Sequence, residues 1–319
     1  MTRIIHPVPL VLAVALAAAS AAISLPKFQL FLVGQLAMVV IVTVSMTILM
    51  GGAGLLSLAS AAFLAVGAYG LLIAMGPLGL PLLPALVVVV ACCAALGGVL
   101  GVLALRISGF YLAVVTLGFL QVLLTLLKHG GDLTGGGYGL ITPLLSFPGV
   151  KRLTVAHVSM ASVFLAVCVI GVGVALMSSR MGRAWLALRD KEPAARMLGI
   201  DVSRMRILVF AFTSGLIGLA GTLHPLLLGV ANPGSFSVHL SIFHITLVVV
   251  GGMTGSMAGA VTAPALLFFI PEYFSTLGEW RDFFYGGILL AALIFMPNGI
   301  AAAVTERFPR LRALSGGVR

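Results

Sequence analysis

SSRMGRAWLALRDKEPAARMLGIDVSRMR, residues 178–206, is a polar and basic island in a chain that is apolar on both sides of it. It holds seven of the chain's 18 Lys and Arg residues and three of its 8 acids. Outward from it, 61% of the 319 residues are hydrophobic and 8% are charged. A soluble domain carries roughly 25% charged residues. Apolar runs long enough to cross a bilayer recur almost end to end, so lipid is the solvent and each span is expected as a helix. The fold class is therefore all-α, a polytopic helical bundle of about ten spans, near 8–25, 29–50, 54–75, 81–105, 110–127, 156–177, 207–229, 237–252, 256–277 and 283–300. The whole chain, 1–319, reads as one transmembrane domain with a cytoplasmic loop at 178–206.

Charge fixes the orientation. The net +10 excludes a nucleic-acid role, because the basic residues occupy short loops between spans, where they set topology. With both termini cytoplasmic, thirteen basic residues lie inside and five outside, the latter being Lys27, Lys128, Lys151, Arg152 and Arg281. The first run, Val8 to Leu25, has the length of a span rather than of a signal peptide's core, and we read it as uncleaved.

Local signals shape the island. Ser178 or Ser179 caps a first amphipathic helix through Trp185 and Arg189. Pro193 ends it, since Glu192 is pushed from the helical region, and starts a second. That second helix, Pro193 to Leu198, stops at Gly199, and Asp201 or Ser203 caps the next, which enters the membrane at Ile207. Ala194, Ala195 and Leu198 are expected to share a small apolar face suited to docking in a partner's groove. A basic loop that only fixes topology is the competing reading.

Two stretches are rich in glycine: Gly51, Gly52 and Gly54 before Leu55–Ser57, and Gly251 and Gly252 before Met253–Gly259. Glycine there serves either close helix packing or a broken helix lining a path, and the sequence favours packing. Ser57, Ser60, Thr116 and Gln121 are polar groups in apolar segments and complete the candidate path.

Much chemistry is absent. None of Lys27, Lys128, Lys151 and Lys191 lies in a Gly-Lys-Ser/Thr context, so the chain has no Walker A loop. The six histidines form no HExxH pattern, and Cys92, Cys93 and Cys168 have no metal-ligand spacing. No metal and no cofactor of its own is expected. His224-Pro225 is expected to kink its span. No acid lies securely deep in a span, which argues against an ion-coupled secondary transporter. An intramembrane serine protease, the remaining enzymatic alternative, has no identifiable Ser–His pair.

GRAWLALRDKEPAARMLGI, residues 182–200, resembles the cytoplasmic signature of the permease subunits of branched-chain amino acid ABC importers, the high-affinity LivM-type branch. Glu192, Ala194, Ala195 and Gly199 match that family's Glu-Ala-Ala…Gly coupling motif, with Pro193 inserted. The likeness extends to 51–69, 106–119, LTGGGYGL at 133–140, NPGSF at 232–236, 248–260 and MPNGI at 296–300. It departs at Leu55, at Ala59-Ser60, at Phe110 and at Gln121, where the family usually has polar or charged groups. The resemblance implies that Arg189, Glu192, Pro193, Ala194, Ala195, Leu198 and Gly199 couple to an ATPase. It implies a homologous second permease, two cytoplasmic ATPase subunits that use ATP, and a periplasmic binding protein. Arg281, with Glu279 and Asp282, is the candidate docking point for the last. The implied setting is the bacterial inner membrane, and the implied cargo is a branched-chain or other small amino acid moved by alternating access.

Overall fold

The computed structural model describes residues 26–107, 109–142, 154–252, 257–268 and 286–287. Pro26, with no N–H to donate, stands at the N-cap of α1, Lys27–Met46, which widens into a π turn at Thr47–Gly52. The chain then leaves helical geometry. Gly54 takes φ +71°, a left-handed value open to glycine, and residues up to Ala59 are not helical. Helix α2 runs Ser60–Met75, α3 Leu82–Leu103, α4 Phe110–His129 and α5 Val155–Ser178. The island forms α6, Arg180–Asp190, and α7, Glu192–Met197. Then come α8, Val202–Leu228, α9, Val238–Gly251, and α10, Met257–Leu267.

Helix α8 is the axis of the bundle and packs against α1, α2 and α3. Small residues make this possible, as expected where apolar burial alone does not drive helix association. A Cβ on Gly67 of α2 would lie 2.1 Å from the Gly218 carbonyl oxygen of α8, and one on Gly221 would lie 2.3 Å from that of Leu64. Along α3, Gly97 meets Ser214 and Phe210, and Gly101 meets Ile207. Helix α1 packs on α5, where Gly34 faces Ser159.

At one end of α8, Arg206 donates to the Ala104 carbonyl at 3.1 Å, which joins the island to the α3–α4 turn carrying Arg106. At the other end a two-stranded ribbon pairs β1, Leu140–Ile141, with β2, Val230–Ala231. Island and Arg106 thus share one face, and the loop that follows Lys128 lies on the opposite one, as the charge bias requires.

The span count needs correction. Six helices among the described residues are long and apolar enough to cross a bilayer, not ten: Lys27–Gly52, Leu82–Leu103, Phe110–His129, Val155–Ser178, Val202–Leu228 and Pro233–Gly251. The expected spans at 54–75 and 256–277 correspond to the shorter helices Ser60–Met75 and Met257–Leu267. Those at 8–25 and 283–300, and both termini, lie outside the described residues apart from residues 286–287. Helix α2 has 16 residues, about 24 Å at 1.5 Å per residue, against the ~30 Å hydrocarbon layer.

Candidate functional site

The island folds as its local chemistry directs. Ser179 accepts a hydrogen bond from the Gly182 N–H at 3.4 Å and caps α6. Gly182 sits so close to the end of α5 that an added Cβ would lie 2.4 Å from the Met177 carbonyl oxygen. Trp185 is fully buried and its Nε1 donates to the Met205 carbonyl at 3.2 Å, which clamps α6 to α8. Lys191 is extended, with φ −152°, and separates α6 from α7. Gly199, at φ +77°, ends α7: its N–H donates to Arg196 and that of Ile200 to Ala195, two bonds that satisfy terminal carbonyls. Asp201 then caps α8 by accepting from the Arg204 N–H at 3.1 Å. The helix therefore begins at Val202, capped by the first of the two residues expected to cap it.

Glu192 is the brace of the short helix. One carboxylate oxygen accepts from Arg196 at 2.7 Å and the other from Arg206 at 2.7 Å. The Arg206 side chain is only 10% exposed and reaches on to the Ala104 carbonyl. The six-residue helix is thus tied to the starts of α8 and the end of α3. Too short to hold itself, it is held by this pair and by Ala195.

The outward face differs from the expected one. Ala195 is 1% exposed and points into the protein, whereas Pro193, Ala194, Met197 and Leu198 are exposed, Met197 at 91% and Leu198 at 78%. Ala195 is the residue that seats α7; Met197, absent from the sequence-derived set, belongs to the face. Its spacing of three from Ala194 was the available signal.

The second constellation surrounds the interruption at residues 54–59. Gly51 and Gly52 end the π turn, where the Gly51 carbonyl accepts from Arg189 Nη1 at 2.5 Å. Beyond Gly54, the exposed-backbone problem of a broken helix is solved by side chains. The Leu58 N–H donates to Thr116 Oγ1 at 2.9 Å, the Ala59 N–H to Ser57 Oγ at 3.3 Å, and the Ala61 N–H to Ser241 Oγ at 3.1 Å. Ser60 Oγ lies 3.2 Å from His244 Nδ1. Ser57, Ser60, Thr116, Ser241 and His244 are all buried. Reasoning from sequence missed Ser241 and His244; their spacing of three on one helix face was visible, but their partners lie about 180 positions away.

The other candidate path residues stand apart from this cluster. Gln121 is exposed on α4, and its carbonyl accepts from Thr125. Gly251 packs against Gly259, whose carbonyl oxygen would be 2.6 Å from an added Cβ, and Gly252, at φ +109°, ends α9. The first glycine stretch is thus a break and the second a close crossing. Pro225 lies inside α8, and its carbonyl accepts twice, from the Gly229 N–H at 2.9 Å and from Thr142 Oγ1 at 2.7 Å. Glu279, Arg281 and Asp282 lie outside the described residues. Among the described residues no group of three His, Cys, Asp or Glu side chains is placed to hold a metal ion.

Replacing Thr116 tests the cluster. Thr116→Val strands the half-buried Leu58 N–H, so the solubilised protein is expected to lose about 1–3 kcal/mol of stability. Thr116→Ser keeps the hydroxyl and most of that stability. Thermal unfolding of the two variants in detergent separates them.

The family described as "Branched-chain amino acid transport system / permease component" matches residues 28–293. The chain is 31% identical over 301 residues to the high-affinity branched-chain amino acid transport system permease protein LivM of Salmonella typhimurium, covering 87% of this chain and 70% of that one. It is 30% identical over 304 residues to LivM of Escherichia coli, covering 88% and 71%. The autoinducer 2 import system permease protein LsrC of Yersinia enterocolitica is 28% identical over 213 residues, covering 64% and 56%. No solved structure matches the chain.

Proposed function

The chain belongs to the permease-component family of branched-chain amino acid transport systems, a multi-pass protein of the bacterial inner membrane and the transmembrane subunit of an ABC-type importer, and we propose how this subunit works. It is one half of a two-permease path, driven by two cytoplasmic ATPase subunits and fed by a periplasmic binding protein. The cargo is leucine, isoleucine or valine, in line with the names of the LivM relatives. The observation that carries this reading is α7: a braced six-residue helix presenting Pro193, Ala194, Met197 and Leu198 outward on the basic face of the bundle. Such a face fits a hydrophobic cleft on a soluble subunit, and the chain itself has no phosphate-binding lysine loop to supply energy.

Movement of α7 would rock the spans that Glu192 and Arg206 connect, and so alternate the side on which the path opens. The break at residues 54–59, hydrogen-bonded together with the first turn of α2 to side chains of two other helices, is where the path has irregular backbone. In this family of membrane proteins irregular backbone at depth is tolerated where it is buried or lines a cavity.

An ion-coupled carrier is the alternative. The acids among the described residues are Asp132, Asp190, Glu192 and Asp201, all at helix ends or in turns. An ion relay needs carboxylates within spans, so the ATP-driven reading stands ahead. Reconstitution decides it: the chain with its second permease, ATPases and binding protein is expected to accumulate leucine only with ATP. Accumulation driven by a proton or sodium gradient, without the ATPases, overturns the reading. Leu198→Asp places a charge on the outward face and is expected to release the ATPase subunits on co-purification; retention of those subunits with normal import removes α7 from the docking role.

A further inference from the structure

We infer that Arg189 is a positioning residue that ties the cytoplasmic island to the interrupted span, delivering the motion of α7 to the Gly51–Ser60 segment. The inference rests on the transport reading above. Motif likeness groups Arg189 with residues that face an ATPase, but its geometry turns inward. It sits at the end of α6, three residues before α7 begins. Its Nη1 donates to the Gly51 carbonyl at 2.5 Å, while Nε and Nη2 both reach Asp190 Oδ1 at 3.1 Å and fix the plane of the guanidinium.

A second contact makes the tie specific. Gly54, at φ +71°, holds its backbone against the Arg189 stem: an added Cβ would lie 2.7 Å from Arg189 Cγ and 3.3 Å from its Cβ. Gly51 and Gly54 therefore form a seat, one by hydrogen bond and one by close packing. The seat is placed where α1 has just passed through a π turn, and helical carbonyls at such a terminus need outside partners. A charged donor to a buried carbonyl is among the stronger hydrogen bonds.

The island thus has two outgoing ties. Glu192 reaches α8 and, through Arg206, the end of α3. Arg189 reaches the break directly, three residues before Ser57 in the case of Gly54. A displacement of α6 and α7 as one body pulls on both. Loss of the Arg189 tie leaves the ATPases attached and turning over, with the path no longer following them.

The test uses the complete importer in proteoliposomes with leucine as probe. Arg189→Ala is expected to keep the ATPase subunits on co-purification and to keep ATP hydrolysis, while import per ATP falls on the order of tenfold, the scale of one charge-assisted hydrogen bond. Arg189→Lys, which keeps a single donor, recovers part of the loss. Gly54→Ala gives the same uncoupling with the guanidinium present. A substrate-independent arm replaces Cys92, Cys93 and Cys168 with serine and labels Ser57→Cys with a maleimide, with and without ATP plus vanadate. Labelling is expected to change with nucleotide when Arg189 is present and to stay flat in Arg189→Ala. Unchanged import per ATP with a normal labelling change overturns the tie, and so does loss of the ATPase subunits from Arg189→Ala, which makes Arg189 a docking residue. If the parent complex imports no leucine, the cargo assignment fails, and the labelling arm still decides the tie.

Discussion

Glu192→Lys is expected to abolish import while the chain inserts in the membrane at normal abundance. The wild-type carboxylate bridges Arg196 and Arg206 at 2.7 Å each. A lysine there leaves three cations together, one of them on a side chain only 10% exposed. Breaking a fully buried pair costs roughly 3–5 kcal/mol. The cost is smaller here, because the Glu192 side chain is 30% exposed and water screens it. It falls on α7, a six-residue helix with few other supports. The spans have their own packing and remain. Glu192→Gln keeps an acceptor for Arg206 and is expected to lower import by about tenfold, the change that 1.4 kcal/mol makes. Uptake by cells carrying each variant, with membrane abundance read by immunoblot, separates a lost brace from a lost protein.

Gly67→Leu is expected to prevent the bundle from assembling at all. An added Cβ would stand 2.1 Å from the Gly218 carbonyl oxygen, and the reciprocal position Gly221 is equally tight against Leu64. Both opposing atoms are backbone, so no rotamer change relieves the clash. The cost exceeds the roughly 1–3 kcal/mol of ordinary overpacking, since α2 must move off α8. Gly118→Ala on α4 is the control: an added Cβ there meets nothing within 4 Å. Size-exclusion chromatography of the detergent-solubilised variants is expected to show aggregate for Gly67→Leu and a wild-type peak for Gly118→Ala. A wild-type peak for both contradicts the close α2–α8 crossing.

The parts of this molecule legible in its sequence are those set by neighbours in sequence. Ser179, Pro193, Gly199 and Asp201 each act on backbone within about four residues, so the bends of the island follow from them. That the island and Arg106 share one face, opposite the loop after Lys128, was legible too, because charge bias is a property of loops and needs no packing. Which side of α7 faces out was not legible. Ala195 turns inward because α6 and α8 approach it, and nothing local distinguishes it from Ala194. The interruption at 54–59 was read as the start of a span because Leu55, Leu56 and Leu58 continue the apolar run. Hydropathy alone does not tell a buried irregular segment from a helix. Its partners, Thr116, Ser241 and His244, come from two other helices, and such pairings appear only when the chain is folded. The roles assigned to Glu192 and Arg206 show the same limit: 14 positions and the Gly199 turn separate them, and the fold closes the gap.

The most direct test of the account is a crosslink from the exposed end of α7. Leu198→Cys, in a chain whose three native cysteines are serine, is introduced into the full importer, and a short bifunctional reagent is added to inside-out vesicles. The account requires a product joining this chain to an ATPase subunit, with a yield that shifts when ATP and vanadate are present. Modification of the same cysteine by a membrane-impermeant thiol reagent from the periplasmic face, with no ATPase product, contradicts it.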